Sequence, residues 1–265
     1  MRRISIIGLL LLFALQVANA GTKITFAYSG TDGERKVNEK RIAHIGNNQV
    51  RVFAPNGSKN IDLVFDREKR RFTILNHRNR SYMIWDEAGI GRMLAQAQGV
   101  MEQMGTLLDN LPQSQRRQLQ QMLGQPLPSS SKKPTVRHRH AGKTRKVAYM
   151  PCQVFTIDSD SGRSSEICLA KYPDLELDKG DLDTLVAMRD LALQLLQNAR
   201  EVLPFIDVEL TDINAPDLQG LPLEGRELTG QTSGKFRVLK ISHQQKTSKG
   251  SFIPSGYQQR NLPIL

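Results

Sequence analysis

Only two cysteines occur in the chain, Cys152 and Cys168, in the stretch CQVFTIDSDSGRSSEIC, with a Ser-Asp-Ser-Gly cluster between them. They are a redox pair, part of a metal site or a structural staple, and each choice dictates a different fold around them. A redox dithiol uses a C-x-x-C spacing, which is absent. A zinc site needs about four ligands, and no Cys/His cluster of suitable spacing accompanies either sulfur. Asp158-x-Asp160-x-Gly162 has the beginning of a calcium loop, but Gly162 stands at the third ligand position and Leu169 at the twelfth, where a glutamate is required.

The start of the chain bears on the choice. Met-Arg-Arg precedes the apolar run ISIIGLLLLFALQV and then Ala18-Asn19-Ala20, the order of a secretory signal cleaved after Ala20. The apolar run is too short for a spanning helix. The expected location is therefore the periplasm, an oxidising compartment where a cysteine pair is normally a disulfide. In a hairpin centred on Asp160, Cys152 and Cys168 face each other, with CQVFTI and SSEICLAK as the arms. Closing such a loop stabilises by roughly 3 kcal/mol in the chain-entropy account.

Short alternating or β-branched segments, KITFAYSG, NQVRVFA, NIDLVFD, RFTILNH and SYMIW, are separated by turn residues and predict an antiparallel meander. In RFTILNH, Phe72 and Ile74 share one face, and Thr73, Leu75 and His77 share the other, so both sides of that sheet carry apolar groups. From Asp86 to Leu111 the apolar spacing becomes helical, ending at Pro112, and PQSQRRQLQQMLG predicts a second helix. Residues 125 to 134 have linker composition, and the following basic stretch predicts two extended segments joined at Ala141 and Gly142. A third helix is expected from an N-cap at Asp181 to about Val202, and FIDVELTDI, LEGRELTG, KFRVLKISH and SFIPSGYQQR supply the remaining strands.

The order of strands, helices and strands predicts an α+β fold: a curved antiparallel sheet, or half-barrel, wrapped around helices and held by one disulfide. The organisation expected is a signal peptide over 1–20 and a single domain over 21–265, with a helical insert over about 87–124 and a basic linker over about 125–146.

Met93, Met101, Met104 and Met122, with Leu108, place adaptable apolar side chains on the helices. They form either ordinary core or the lining of a cavity for an acyl chain. Arg137, Arg139, Lys143 and Arg145 form either a solvated basic edge or a site for anionic groups, with His138 and His140 on the opposite face of the strand. Loss of residues 1–20 removes Arg2 and Arg3 and no acid, lowering the formal net charge of +11 by two, and such a field favours anionic partners. No G-x-S-x-G, H-E-x-x-H, Walker loop or G-x-G-x-x-G is present, so neither an enzyme, a cofactor nor a metal is expected. Nucleic acid is not an expected partner, because the basic stretch lacks interleaved aromatics.

Several stretches together resemble an uncharacterised family of bacterial secreted proteins known only as a domain of unknown function: LVFDREKRRFTILNHRNRSYMIW, VAYMPCQVFTI, SEICLAK and SFIPSGYQQR. That resemblance implies a cysteine after a strand at about Cys152, and a closing aromatic, Pro and Gly-Tyr at Phe252, Pro254, Gly256 and Tyr257. The element order also resembles the half-barrel of periplasmic lipoprotein carriers, which implies a non-enzymatic protein holding a lipid or lipoprotein acyl chain between sheet and helices. The basic face would then favour anionic lipids at a membrane surface; the alternative is an envelope structural or interaction protein that docks an acidic partner through that face.

Overall fold

In the computed structural model the described residues are 20–32, 35–55, 61–109, 136–160, 162, 164–202, 218–229, 234–245 and 253–260. Residues 1–19 of the expected signal sequence, the expected second helix, residues 125–135, FIDVELTDI, Met122 and Phe252 lie outside them.

Strands β1 (Ala20–Asp32), β2 (Arg35–Gly46), β3 (Gln49–Phe53), β4 (Ile61–Asp66), β5 (Arg71–Asn76) and β6 (Ser81–Trp85), rich in β-branched and aromatic residues from β3 on, pair successively as an antiparallel meander. Helix α1 (Glu87–Asp109) follows. It starts where Asp86 accepts from the backbone of Gly89 through its side chain (2.6 Å) and of Ile90 through its carbonyl (3.0 Å). The chain continues through β7 (Val136–Val147), β8 (Met150–Ser159), β9 (Ser164–Ala170), a 3₁₀ turn over Tyr172–Leu175, helix α2 (Lys179–Val202), β10 (Leu221–Thr229), β11 (Lys235–Gln245) and β12 (Gln258–Gln259). These strands build one open, curved twelve-stranded sheet in the order β12-β6-β5-β4-β3-β2-β1-β11-β10-β9-β8-β7, antiparallel except at β12, which runs parallel to β6. With the two described helices and one disulfide this is an α+β half-barrel that does not close.

The meander reads as expected, with one addition. Strand β2 was not foreseen, because Arg35–Lys40 is almost wholly polar, and only Ala43 and Ile45 of the strand are buried. Helix α2 begins at Lys179, with its cap three residues before the expected Asp181. Its cap is Asp178, whose carbonyl accepts from Leu182 N (2.9 Å) and whose side chain accepts from Gly180 N (2.8 Å). Asp181 instead turns inward, where it accepts a buried 2.8 Å hydrogen bond from the Thr22 hydroxyl and fixes the helix against β1.

The basic stretch also differs. Residues from Val136 on are strand β7, so they are not linker, and no turn occurs at Ala141–Gly142. There the β7–β8 register slips between His140 and Thr144 and Gly142 takes φ +66°, a bulge that only bends the strand. The turn lies at Ala148–Tyr149.

Cys152 and Cys168 form a disulfide with a Cα–Cα distance of 5.4 Å. The register pairs Cys168 with Val154 and Asp158 with Ser164, so the hairpin centre is one position past Asp160 and the half-cystines sit diagonally, not face to face. Diagonal neighbours on one face of a pair remain close enough to bridge where the strands twist.

Candidate functional site

Cross-strand register arranges the inner face of β1–β6 in rows. The first runs Thr22, Ile45, Val50, Phe65, Phe72 and Trp85 across six strands. Its members from Thr22 to Phe72 are buried. Helix α2 packs on β2 and β3, and α1 packs on β6 and on α2. Leu185, Leu191 and Leu195 of α2 and Ile90 and Leu94 of α1 join Ile45, Val50, Phe65 and Phe72 in the main core.

The second row runs Ile24, Ala43, Val52, Leu63, Ile74 and Met83. Ile24 and Ala43 are buried, but the next four are only half-buried. Val52 and Leu63 touch the core, as does Met93 from α1, whereas Ile74 and Met83 are not part of it. Four apolar side chains on adjacent strands, about 14 Å end to end at the usual strand spacing, thus line a strip that the helices leave partly open. Its rim is polar: Arg41 donates to the Ile61 carbonyl (3.0 Å) and pairs with Glu39 (2.8 Å).

A different chemistry occupies β7–β11. Arg145 on β7 reaches over β8 to Glu166 on β9 (2.7 Å) and further to Glu224 on β10 (3.5 Å). Arg226, Lys235 and Arg237 complete an alternating network around the same two carboxylates. Bonds across several strands require this part of the sheet to curl, and β7 does approach β11. Burial pushes the Glu166 carboxyl up, but hydrogen bonds from Arg226 and Arg145 and their charges outweigh that, holding it below its ordinary range.

On the outer face of the meander, Asp62 accepts from Arg51 (2.6 Å) and meets His77 Nε2 (3.1 Å), while His77 Nδ1 contacts the Tyr257 hydroxyl (2.7 Å). This chain ties the tail to the sheet. His44 lies directly between Lys23 and Arg51 on neighbouring strands. Burial first, then those two positive charges, lowers its pKa. Its Nε2 is buried with no hydrogen-bond partner among the described residues.

Of the expected site residues, Met93 faces the core. Met101, Met104 and Leu108 lie within α1, but their side chains, like Met122, fall outside the described set. Arg137 and Lys143 are exposed, and Arg139, also exposed, makes a loose 3.8 Å pairing with Asp158. Arg145, by contrast, is engaged by two carboxylates, Glu166 and Glu224. Arg137, Arg139 and Arg145 share one face and His138 and His140 the other, as their partners on β8 require. The half-open strip was missed, because which residues line up across four strands depends on register. Among the described residues no group of three or more His, Cys, Asp or Glu could hold a metal ion, and no helix is long and apolar enough to cross a membrane.

The architecture is that of an open curled antiparallel sheet with helices on its inner face. No family model matches the sequence, and no curated protein matches it. Among solved structures it is similar to an uncharacterised conserved protein from Thermus thermophilus (7% identity, 91% of each chain, TM-score 0.40). It is similar also to a DUF1329 family protein from Desulfovibrio piger (9% identity, 93% of this chain and 94% of that one, TM-score 0.23). A third is a putative outer membrane lipoprotein-sorting protein domain from Vibrio parahaemolyticus (8% identity, 86% and 87%, TM-score 0.19). Likenesses this slight carry no argument for function, which rests on the chain's own geometry.

Proposed function

We propose that this is a non-enzymatic protein of the bacterial envelope, exported to the periplasm, that holds an apolar or amphipathic ligand such as a lipid or lipoprotein acyl chain between its sheet and helices. The observation that carries this reading is the Val52, Leu63, Ile74 and Met83 row, an apolar strip continuous with the core yet only partly buried beside α1. A contiguous apolar strip with a polar rim is costly to leave in water and is typical of a ligand groove. The test is native mass spectrometry of the mature protein and titration with a fluorescent fatty acid. Wild type should carry lipid and bind the probe, while Leu63→Glu and Ile74→Glu should weaken binding at least ten-fold with unchanged circular dichroism. No ligand on wild type, or undiminished binding in both variants, overturns the reading.

A second reading is favoured by a separate observation: edge strand β7 presents Arg137, Arg139 and Lys143 to solvent. Such an edge would dock an acidic envelope protein. A partner captured from envelope extract at low salt should dissociate as ionic strength rises. Retention at high salt would refute a charge-driven contact.

A further inference from the structure

We propose that the tip of the β7–β8 hairpin is a docking point for the surface of an anionic phospholipid bilayer. The turn has two residues, flanked by the Val147 and Met150 pair. Ala148 takes φ 50° and Tyr149 φ 70°, so both central positions lie in the left-handed region, where Asn and Gly are the residues expected. A tyrosine there is strained, and its side chain returns nothing to the fold, being 98% exposed. Neither the turn nor the core accounts for an aromatic at this position.

The setting of Tyr149 indicates what it meets. Lys143 and Lys146 are exposed on the strand leading to it, and Lys171, also exposed, directly follows β9 at the same end of the sheet. None of the three has an ion pair among the described residues. A tyrosine ring with an apolar body and a polar tip suits the headgroup level of a bilayer, and flanking lysines suit its negative charge.

The hairpin is also stiff. Ala148 and Met150 pack on the core, the disulfide ties β8 to β9 at Cys152, and Arg145 is pinned by Glu166 and Glu224. A rigid projection loses little freedom on contact. A protein partner fits less well, because specific protein interfaces bury about 800 Å² per side, far more than a two-residue tip offers. The proposal is independent of whether the strip on β3–β6 holds a ligand.

The experiment is co-sedimentation of the mature protein with vesicles containing phosphatidylglycerol and with vesicles of phosphatidylcholine alone. Wild type should bind the former and not the latter. Tyr149→Ser should weaken binding several-fold without lowering the melting temperature, Tyr149→Trp should retain it, and Lys146→Gln should cost about five-fold. The proposal fails if wild type ignores the anionic vesicles, if Tyr149→Ser binds as wild type does, or if only an acidic protein competes for the tip.

Discussion

Replacing both half-cystines, Cys152→Ala with Cys168→Ala, tests the staple while leaving no lone thiol. The bridge spans a sequence separation of 16, and closing a loop of that size removes about 3 kcal/mol of unfolded-state freedom. Both sulfurs are buried, so each also removes roughly one methylene-sized packing group, about 1 kcal/mol apiece. The total, about 4–5 kcal/mol, corresponds in a chain of this length to a fall in melting temperature of roughly 10–20 °C. Ligand uptake should survive below the new transition, because β10, β11, β1 and β2 separate the bridged hairpin from β3–β6 in the sheet. Thermal melts followed by circular dichroism, paired with probe binding well below the transition, provide both readouts. A melting temperature within about 2 °C of wild type would refute the staple argument. Loss of binding by a fully folded variant would refute the separation of staple and strip.

Acid should destabilise the protein in two stages. His44 has a lowered pKa, so its contribution is complete above its ordinary value of 6.5 and is lost as pH falls below that, when the unfolded chain takes up a proton that the fold resists. Glu166 is likewise depressed, so its contribution is present above 4.5 and disappears as pH drops through its lower folded value. Urea midpoints for His44→Gln should therefore decline less than wild type between about pH 7 and 5.5; an equal decline would contradict the assignment. Two glycines should respond oppositely to alanine. Gly91, on an open face of α1, should gain up to about 1 kcal/mol in helix propensity, whereas a Cβ at Gly220 would strike the Ala170 carbonyl and should lower the melting temperature. Equal shifts in the two variants would refute the packing at Gly220.

What the sequence made legible was whatever is encoded over a few neighbouring positions. Strands β3–β6 were readable because they are short runs of β-branched and aromatic residues bounded by turn residues, and α1 and α2 because their apolar spacing is helical. Strand β2 was not, since its first half is polar but for Val37 and only Ala43 and Ile45 of the strand are buried. The β7–β8 turn was hidden because Ala148 and Tyr149 are not turn formers, while the Gly142 that suggested a turn sits in a bulge. The half-open strip and the Asp62, His77 and Tyr257 chain depend on register and on a contact 180 positions apart, which no local pattern announces.

Tail residues Gln258 and Gln259 lie along β6, with Gln258 N bound to the Arg80 carbonyl and Arg260 N to the Tyr82 carbonyl. That short cover occupies hydrogen-bonding positions at one margin of the sheet, leaving β7 as the other. Growth of a fibre by continuous strand addition requires two receptive margins on every molecule. Here the margin beside β6 is capped by a strand of two residues while β7 offers twelve, so strand addition by a second copy should favour β7.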